Sequence, residues 1–194
     1  MTVTLTEKGR EAIGWWVDRL KGGAYRPNPY YIEDNSGFFF LGEGNHRVVY
    51  AVSPSSRGEM FDGGDDYIVK VSKGPDPWAN QNEILNWEYM PSDIEGFFAP
   101  VVDYHPEGYW LAMPRAQMGV EGHERDSVYS ALTGSGYDLD DVRKDNMGYI
   151  DGTPKVVDYG FRIERKLSPE ETEERGYGWG RVGPEWDDFD PSSV

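Results

Sequence analysis

Three oxygen-bearing side chains stand close together in the stretch DDVRKDNMGYIDGTPKVVDYGF. Asp141 lies five positions before Asn146, and Asp158 ends an apolar, strand-like run. Asp151-Gly152 is a strong turn signal, which predicts a hairpin with Asn146 and Asp158 at the same end of its two strands. Two carboxylates and an amide oxygen around one point suit magnesium, and phosphate oxygens of a nucleotide would complete its coordination. The alternative is a solvated turn with incidental acids.

Lys70 stands in YIVKVS, a predicted strand whose members are mostly apolar, so its ammonium is expected beside a core. A half-buried lysine requires an anionic partner. Glu83 of the following predicted helix is preferred to Glu88, because the two lie about 140° apart around a helix and cannot both face Lys70. The alternatives are a lysine whose head reaches solvent and a glutamate on a solvated helix face.

Gly42 and Gly44 stand in LGEGNHRVVYAV, between two predicted strands. This context disfavours a dinucleotide fold, which would need a helix after the glycines. Glycines in a hairpin let backbone N–H groups approach phosphate closely, and Val49 after them would cover the flat face of a base. The alternative is a pair of glycines that only make a tight turn.

A sheet and a few helices must position these residues. TEKGREAIGWWVDRLKGG predicts a first helix, because apolar residues recur at helical spacing from Ile13 to Leu20. From Tyr30 to Val71, YYIEDNSGFFFLGEG, RVVYAV and YIVKVS predict an antiparallel meander of strands. Asp76-Pro77 opens a second predicted helix, WANQNEILNWEYM, and two more strands flank the turn HPEG. DSVYSALTGSG predicts a short helix, and EETEER and DDFD are acidic runs of low complexity.

The order of these parts resembles the protein-kinase-like phosphotransferases over about residues 37 to 161. The resemblance implies an α+β, protein-kinase-like two-lobed fold, with an antiparallel-sheet N-lobe plus one helix and a much reduced C-lobe. The implied boundaries are 1–29 for an N-terminal helical extension, 30–116 for the N-lobe, and 117–194 for a C-lobe with the catalytic and metal loops and an acidic aromatic tail.

The same resemblance implies a role for each residue, with ATP and Mg²⁺ as cofactors. Asp141 would be the catalytic base, and Lys70, paired with Glu83, would hold the α- and β-phosphates. Asn146 and Asp158 would be magnesium ligands. Backbone of the hinge-like segment LAMPRA would hydrogen-bond adenine. The residues that would contact the nucleotide are Gly42, Gly44, Arg47, Val49, Lys70, Met113 and Arg115.

The chain also departs from the family pattern. Arg47 stands where a third glycine is expected, although its guanidinium would be able to contact phosphate directly. Tyr159 replaces the phenylalanine of the Asp-Phe-Gly motif, and Leu-Asp precedes Asp141 in place of His-Arg. Only 24 residues separate the hinge-like segment from Asp141, and 34 follow the Asp-Tyr-Gly motif. The predicted C-lobe therefore has no room for the usual long helices or for a peptide-docking platform.

Composition limits the partners of this chain. A net charge of −16 disfavours nucleic acid as a partner, and it is typical of a solvated surface adapted to high salt. The absence of cysteine excludes disulfides and fits a reducing compartment. No apolar run approaches the roughly 20 residues of a spanning helix, and no secretory signal pattern is present, so no membrane is expected. The predicted localisation is cytoplasmic, in a host cell or in association with a virion.

Two functional classes fit these observations. The first is an ATP- and magnesium-dependent phosphotransferase acting on a small-molecule or protein acceptor. The second is a kinase-shaped scaffold without catalysis, which would bind a virion or host protein through the aromatic tail GYGWGRVGPEWDDF. The chain is similar to small kinase-like proteins of tailed viruses, which fits either class. A decoy for a nucleic-acid enzyme is disfavoured, because the acidic residues are scattered and form no regular track.

Overall fold

The computed structural model describes residues 3–23, 37–56, 58–62, 66–139, 142–175, 179–184 and 186. In this part of the chain the fold is α+β, with antiparallel sheets and four α-helices. The chain divides into two compact units. Unit 1 comprises Met1–Gln81 and Pro100–Arg115, and unit 2 comprises Asn82–Ala99 and Ala116–Val194. None of the helices in the described ranges is long and apolar enough to cross a membrane.

Unit 1 is built on a five-stranded antiparallel sheet in the order β2-β3-β5-β7-β6, which confirms the predicted meander from Phe38 onward. Residues 30–36, which were also predicted as strand, lie outside the described residues. A separate two-stranded sheet pairs β1 with β4. The elements are β1 Thr4–Leu5, α1 Glu7–Lys21, β2 Phe38–Glu43, β3 Arg47–Val52, a 3-10 turn Pro54–Ser56, β4 Phe61–Asp62, β5 Tyr67–Ser72, β6 Asp103–Tyr104 and β7 Trp110–Pro114.

Helix α1 forms for local reasons and is held by packing. The Thr6 hydroxyl caps its first turn by accepting a hydrogen bond from the Gly9 backbone N–H at 3.1 Å. The helix ends at Gly22, and Gly23 follows with a φ of 83°. The predicted apolar stripe is buried in the unit 1 core: Ile13, Trp16, Val17 and Leu20.

The sheet of unit 1 has two different faces. Alternate side chains of the central strands, such as Tyr50, Val69 and Ala112, join the apolar side chains of α1 in one core. This side is called the helix face. The other set of alternate side chains includes Lys70, and this side is called the lysine face. In β2 the alternation is interrupted by a bulge at Leu41.

Helix α2 spans Trp78–Glu88, as predicted from WANQNEILNWEYM. The Asp76 carboxylate accepts a hydrogen bond from the Trp78 backbone N–H at 3.3 Å and so supports the first turn. Residues 78–81 of this helix belong to unit 1, and residues 82–88 belong to unit 2.

Unit 2 contains two three-stranded antiparallel sheets, in the orders β11-β10-β8 and β13-β12-β9. The elements are a 3-10 turn Glu95–Phe97, β8 Gln117–Met118, α3 Gly122–Gly134, β9 Tyr137–Leu139, a 3-10 turn Lys144–Asn146, β10 Met147–Ile150, β11 Thr153–Val156, β12 Ile163–Lys166, α4 Pro169–Arg175 and β13 Trp179–Arg181.

The predicted hairpin of unit 2 is confirmed. β10 pairs with β11 from Met147 opposite Val156 to Ile150 opposite Thr153. The turn residues Asp151 and Gly152 have φ values of 50° and 74°, as a two-residue hairpin turn requires.

Two elements of unit 2 differ from the expectations. α3 begins four residues before the predicted segment. The acidic run EETEER was expected as low-complexity sequence, but it forms α4. Its first turn is stabilised because the Ser168 backbone N–H donates to Glu171, whose N–H donates back to the Ser168 hydroxyl. Arg165 also donates to the Glu171 carboxylate, and this pairing holds the pKa of Glu171 at about 2.

Candidate functional site

Four predicted or neighbouring site residues form one cross-strand row on the lysine face. Gly42 lies opposite Val49, Val49 opposite Lys70, and Lys70 opposite Leu111. Residues directly opposite one another in a sheet point to the same side. The structure therefore places a glycine backbone, an apolar side chain and an ammonium next to one another across β2, β3 and β5.

Arg47 lies two positions before Val49 on β3, and therefore in the neighbouring row on the same face of the sheet. It lies opposite Ser72, so its side chain points to the lysine face, diagonally across from Lys70. Both cations are largely buried, with 8 % of Arg47 and 4 % of Lys70 exposed. Arg47 was predicted as a phosphate contact, and its position in the sheet suits that role.

The glycine-rich hairpin between β2 and β3 is anchored by Lys73. The Lys73 ammonium lies 2.7 Å from the Glu43 carboxylate and donates to the Gly44 carbonyl at 2.9 Å. The Lys73 backbone N–H donates to the His46 carbonyl at 2.9 Å, and the Gly44 N–H donates to the Arg47 carbonyl at 2.9 Å. The tip of the hairpin is therefore held from two sides.

Neither the backbone conformation nor the packing requires a glycine at position 42 or 44. Both have ordinary φ angles, and a Cβ built on either glycine would meet no described atom within 4 Å. Glycine at these positions keeps the backbone of the hairpin accessible.

A surface cavity of about 230 Å³ lies beside the hairpin tip, within unit 1. The His46 and Trp78 rings meet there in a tilted, edge-type contact, with 4.7 Å between the ring centroids. The residues that line the cavity are Asn45, His46, Lys73, Gly74, Pro75, Asp76 and Trp78.

The hinge-like backbone is less open than predicted. The Arg115 N–H donates to the Asp66 carbonyl at 2.6 Å, and Met113 lies opposite Ile68 in the same antiparallel ladder. Arg115 and Asp66 form a hydrogen-bonded pair of this ladder. Such pairs recur at every second position, so Met113 and Ile68 form the next one, and the Met113 N–H also faces β5. Pro114 has no N–H. The segment from Met113 to Arg115 therefore offers adenine the Pro114 carbonyl and no backbone donor.

The Arg115 side chain lies at the end of this ladder. Its guanidinium lies over the Phe39 ring, 5.5 Å from the centroid, and Nη1 is 3.8 Å from the Asp66 carboxylate. Phe39 occupies the lysine face, in the row that also contains Ala51. A planar cation on an aromatic ring therefore borders the lysine face at its hinge-like end.

The two predicted magnesium ligands lie at the same end of the unit 2 hairpin. Asn146 immediately precedes β10, and Asp158 follows β11 by two positions. The Val157 N–H donates to the Asn146 carbonyl at 2.8 Å, so the ladder extends past both strand ends. Both side chains are partly exposed. Asp141, the predicted base, lies outside the described residues.

Asp158 is followed by a firmly held Tyr159. The Tyr159 side chain is fully buried, its hydroxyl donates to the Ala99 carbonyl at 2.5 Å, and its ring meets Phe98 edge to face. The amide of Asn86 donates to the carbonyls of Tyr159 and Phe161, both at 2.6 Å. Tyrosine in place of phenylalanine thus gains a hydrogen bond here.

Asn86 was not predicted as part of the site. An asparagine inside a helix is unfavourable unless its amide has partners. The sequence signal that could have indicated a buried Asn86 is its position between the apolar Leu85 and Trp87.

Glu83 and Glu88 differ in burial as the choice between them required. Glu83 is fully buried on α2, whereas Glu88 is partly exposed. Glu83 belongs to unit 2 and Lys70 to unit 1. The pairing of Lys70 with Glu83 stays a prediction.

Among the described residues no group of three or more histidine, aspartate or glutamate side chains would hold a metal ion by itself. The predicted magnesium set has a different composition, with one amide, one carboxylate and phosphate oxygens.

No protein-family model matches the chain, and no curated protein matches it. Its function is therefore inferred from the placement of its own residues.

Proposed function

We propose that the chain is a minimal protein-kinase-like phosphotransferase that uses ATP and Mg²⁺. Unit 1 would bind the nucleotide, and the hairpin of unit 2 would contribute magnesium ligands. The acceptor would be a small molecule or a protein with a hydroxyl group.

The observation that carries this proposal is the pair of buried cations on the lysine face. Lys70 and Arg47 lie diagonally across β3 and β5, beside the partly exposed Gly42. A polyphosphate matches this arrangement, because it brings several negative charges and acceptor oxygens to a site that water reaches poorly. The next row, with Ala51 and Met113, is apolar and suits the flat face of a base.

The unit 2 hairpin supports the metal part of the proposal. Asn146 and Asp158 present one amide oxygen and one carboxylate at one strand-pair end, and hard oxygen donors are the ligands that magnesium prefers. When bound, the metal would neutralise charge on the β- and γ-phosphates.

The resemblance assigns the remaining step to Asp141. The acceptor oxygen would attack the γ-phosphorus, the bond from that phosphorus to the β,γ-bridging oxygen would break, and ADP would leave. The acceptor proton would go to the Asp141 carboxylate.

The experiment is a thermal shift with ATP, measured in Mg²⁺ and in EDTA. A ligand at about 100 times its Kd stabilises a protein by about 2.7 kcal/mol, so the wild-type Tm should rise by several degrees in Mg²⁺. Lys70→Ala should lose the ATP response. Asp158→Ala should retain the response in EDTA and lose the further increase with Mg²⁺.

Lys8→Ala is the matched control for the loss of one lysine. Lys8 pairs with Glu59 on the surface of unit 1, where both side chains are more than half exposed. This variant should respond to ATP as the wild type does. A wild-type protein whose Tm is indifferent to ATP in every condition would contradict the proposal.

A protein-binding scaffold is the second candidate function. Phe161 and Trp179 of unit 2 are 42 % and 39 % exposed, and exposed aromatic side chains are common in docking surfaces. The occupied N–H of Arg115 also favours this candidate, because it removes one expected adenine contact. Stoichiometric co-purification with a virion or host protein, together with no response to ATP, is the result expected of the scaffold.

A further inference from the structure

Asn86 holds the backbone that follows Asp158. Its Nδ2 donates to the Tyr159 and Phe161 carbonyls, both at 2.6 Å, and the side chain is fully buried. Both targets are acceptors, so the amide nitrogen must face them. Asn86 Oδ1 is buried and has no hydrogen-bond partner among the described residues. An unsatisfied buried acceptor is destabilising, and this one is present together with the two hydrogen bonds that the same amide donates.

Asn80 makes the same kind of contact in unit 1. Its Nδ2 donates to the Lys70 carbonyl at 3.3 Å and to the Tyr109 carbonyl at 3.2 Å. The residue is 1 % exposed, and its Oδ1 also lacks a hydrogen-bond partner within the described ranges. The contact reaches the backbone of the residue whose ammonium is proposed to bind phosphate.

The two asparagines make the same hydrogen-bonding arrangement. Each side chain leaves α2, uses both amide hydrogens on two backbone carbonyls, and leaves a buried oxygen unsatisfied. A leucine has the same branched set of four side-chain heavy atoms and no polar atom to leave unsatisfied, so packing alone does not explain asparagine at either position. What the amides add is a fixed backbone at Lys70 and after Asp158.

We propose that Asn80 and Asn86 are positioning residues, Asn80 for the Lys70 ammonium toward phosphate and Asn86 for the Asp158 carboxylate toward Mg²⁺. This inference rests on the proposed function. It predicts that the two variants fail in different ways, because Asn80 acts in unit 1 and Asn86 in unit 2.

The test measures the ATP dissociation constant by calorimetry in EDTA and in saturating Mg²⁺. The constant in EDTA divided by the constant in Mg²⁺ reports how much the metal strengthens binding. Loss of an outer support of a metal ligand typically weakens metal affinity by about 10–100-fold. Asn86→Leu should lower the ratio by about tenfold and leave the constant in EDTA within about twofold. Asn80→Leu should weaken binding in EDTA and leave the ratio unchanged. Each variant is the control for the other.

The outcomes separate this inference from the proposed function. If the wild type binds ATP in Mg²⁺ and Asn86→Leu shows the wild-type ratio, the positioning role is wrong and the proposed function stands. If the wild type does not bind ATP at all, the proposed function itself is wrong.

If Asn86→Leu does not fold, Asn86→Ser replaces it, because a hydroxyl can donate to one carbonyl. An intermediate ratio supports the role, and a wild-type ratio in Asn86→Ser overturns it.

Discussion

His105 begins the turn between β6 and β7, where its Nδ1 accepts a hydrogen bond from the Glu107 N–H at 3.0 Å. Burial lowers the pKa of His105 from its ordinary 6.5, and the nearby positive charges of Lys21 and Arg10 lower it further, against the opposing Glu107 carboxylate. Protonation of Nδ1 would also remove the acceptor. The folded protein therefore favours the neutral ring.

The His105→Asn variant tests this effect. Below pH 6.5 the unfolded chain takes up a proton that the folded chain resists, so His105 stabilises the fold above that pH and less as pH falls through the lowered folded pKa. Asparagine keeps an acceptor at the start of the turn but does not titrate. Between pH 7.5 and 5 the wild-type Tm should fall more steeply than that of His105→Asn.

His123→Asn is the control, because it removes an imidazole from an exposed part of α3. Equal slopes for the wild type and His105→Asn would show that the buried turn has no role in the pH dependence.

Single residues were predictable where their neighbours in sequence determined their surroundings. The apolar neighbours of Lys70 indicated its burial, and helical geometry separated Glu83 from Glu88. The partners of Asn86 lie more than 70 positions away in the chain, so no local pattern could indicate them. The same holds for Arg115, whose N–H is occupied because of the register of β5 against β7.

Helix α1 is expected to carry much of the stability of unit 1. Trp16 is fully buried, and its Nε1 donates to the Ser72 carbonyl at 3.0 Å. Trp16→Ala removes the ring and should lower the free energy of unfolding by about 3–5 kcal/mol. Trp16→Phe keeps part of the ring and should cost less, about 1–3 kcal/mol, because mainly the hydrogen bond is lost. Urea denaturation followed by circular dichroism measures both changes.

Trp15→Ala provides the comparison for Trp16→Ala. The Trp15 ring is only partly buried, and the Arg19 guanidinium lies over it at 4.3 Å. Its removal should cost less than half as much as the removal of Trp16. Similar losses for the two variants would show that α1 is not held by its buried stripe.

At the level of elements, local signals predicted helices and sequential strands. Apolar spacing located α1, Asp76-Pro77 located the start of α2, and the Asp-Gly turn located the β10-β11 hairpin. The sheet β13-β12-β9 was not predicted. Its strands are three or four residues long and pair across distant parts of the chain, so neither periodicity nor a turn signal marks them.

The whole molecule carries a net charge of −16, which makes its stability sensitive to salt. Self-repulsion destabilises a compact chain of this charge, and the screening length falls from about 10 Å at 0.1 M salt to about 3 Å at 1 M. Raising KCl over this range at pH 7 should raise the Tm, as the predicted adaptation to high salt also requires. Near the sequence pI of about 4.5 the net charge vanishes, and the same KCl series should have little effect. A Tm that falls with KCl at pH 7 would contradict the expected self-repulsion.

At the largest scale the sequence predicted the α+β class and the antiparallel sheet, but its proposed boundaries are contiguous stretches. Unit 1 is instead discontinuous, because residues 82–99 belong to unit 2 while β6 and β7 return to the sheet. The return is set by the pairing of β7 with β5, which joins positions 39 to 47 residues apart. Composition and local motifs carry no information about such a pairing.

The late arrival of β7 has a consequence for synthesis on the ribosome. A nascent chain that has emerged only as far as α2 already contains β5, but its partner on one side, β7, has not yet emerged. An open strand edge of this kind is a template for pairing with other chains. The time that residues 73–114 take to emerge therefore determines how long that edge is exposed to aggregation, and slow translation during that interval would favour aggregation without altering the finished protein.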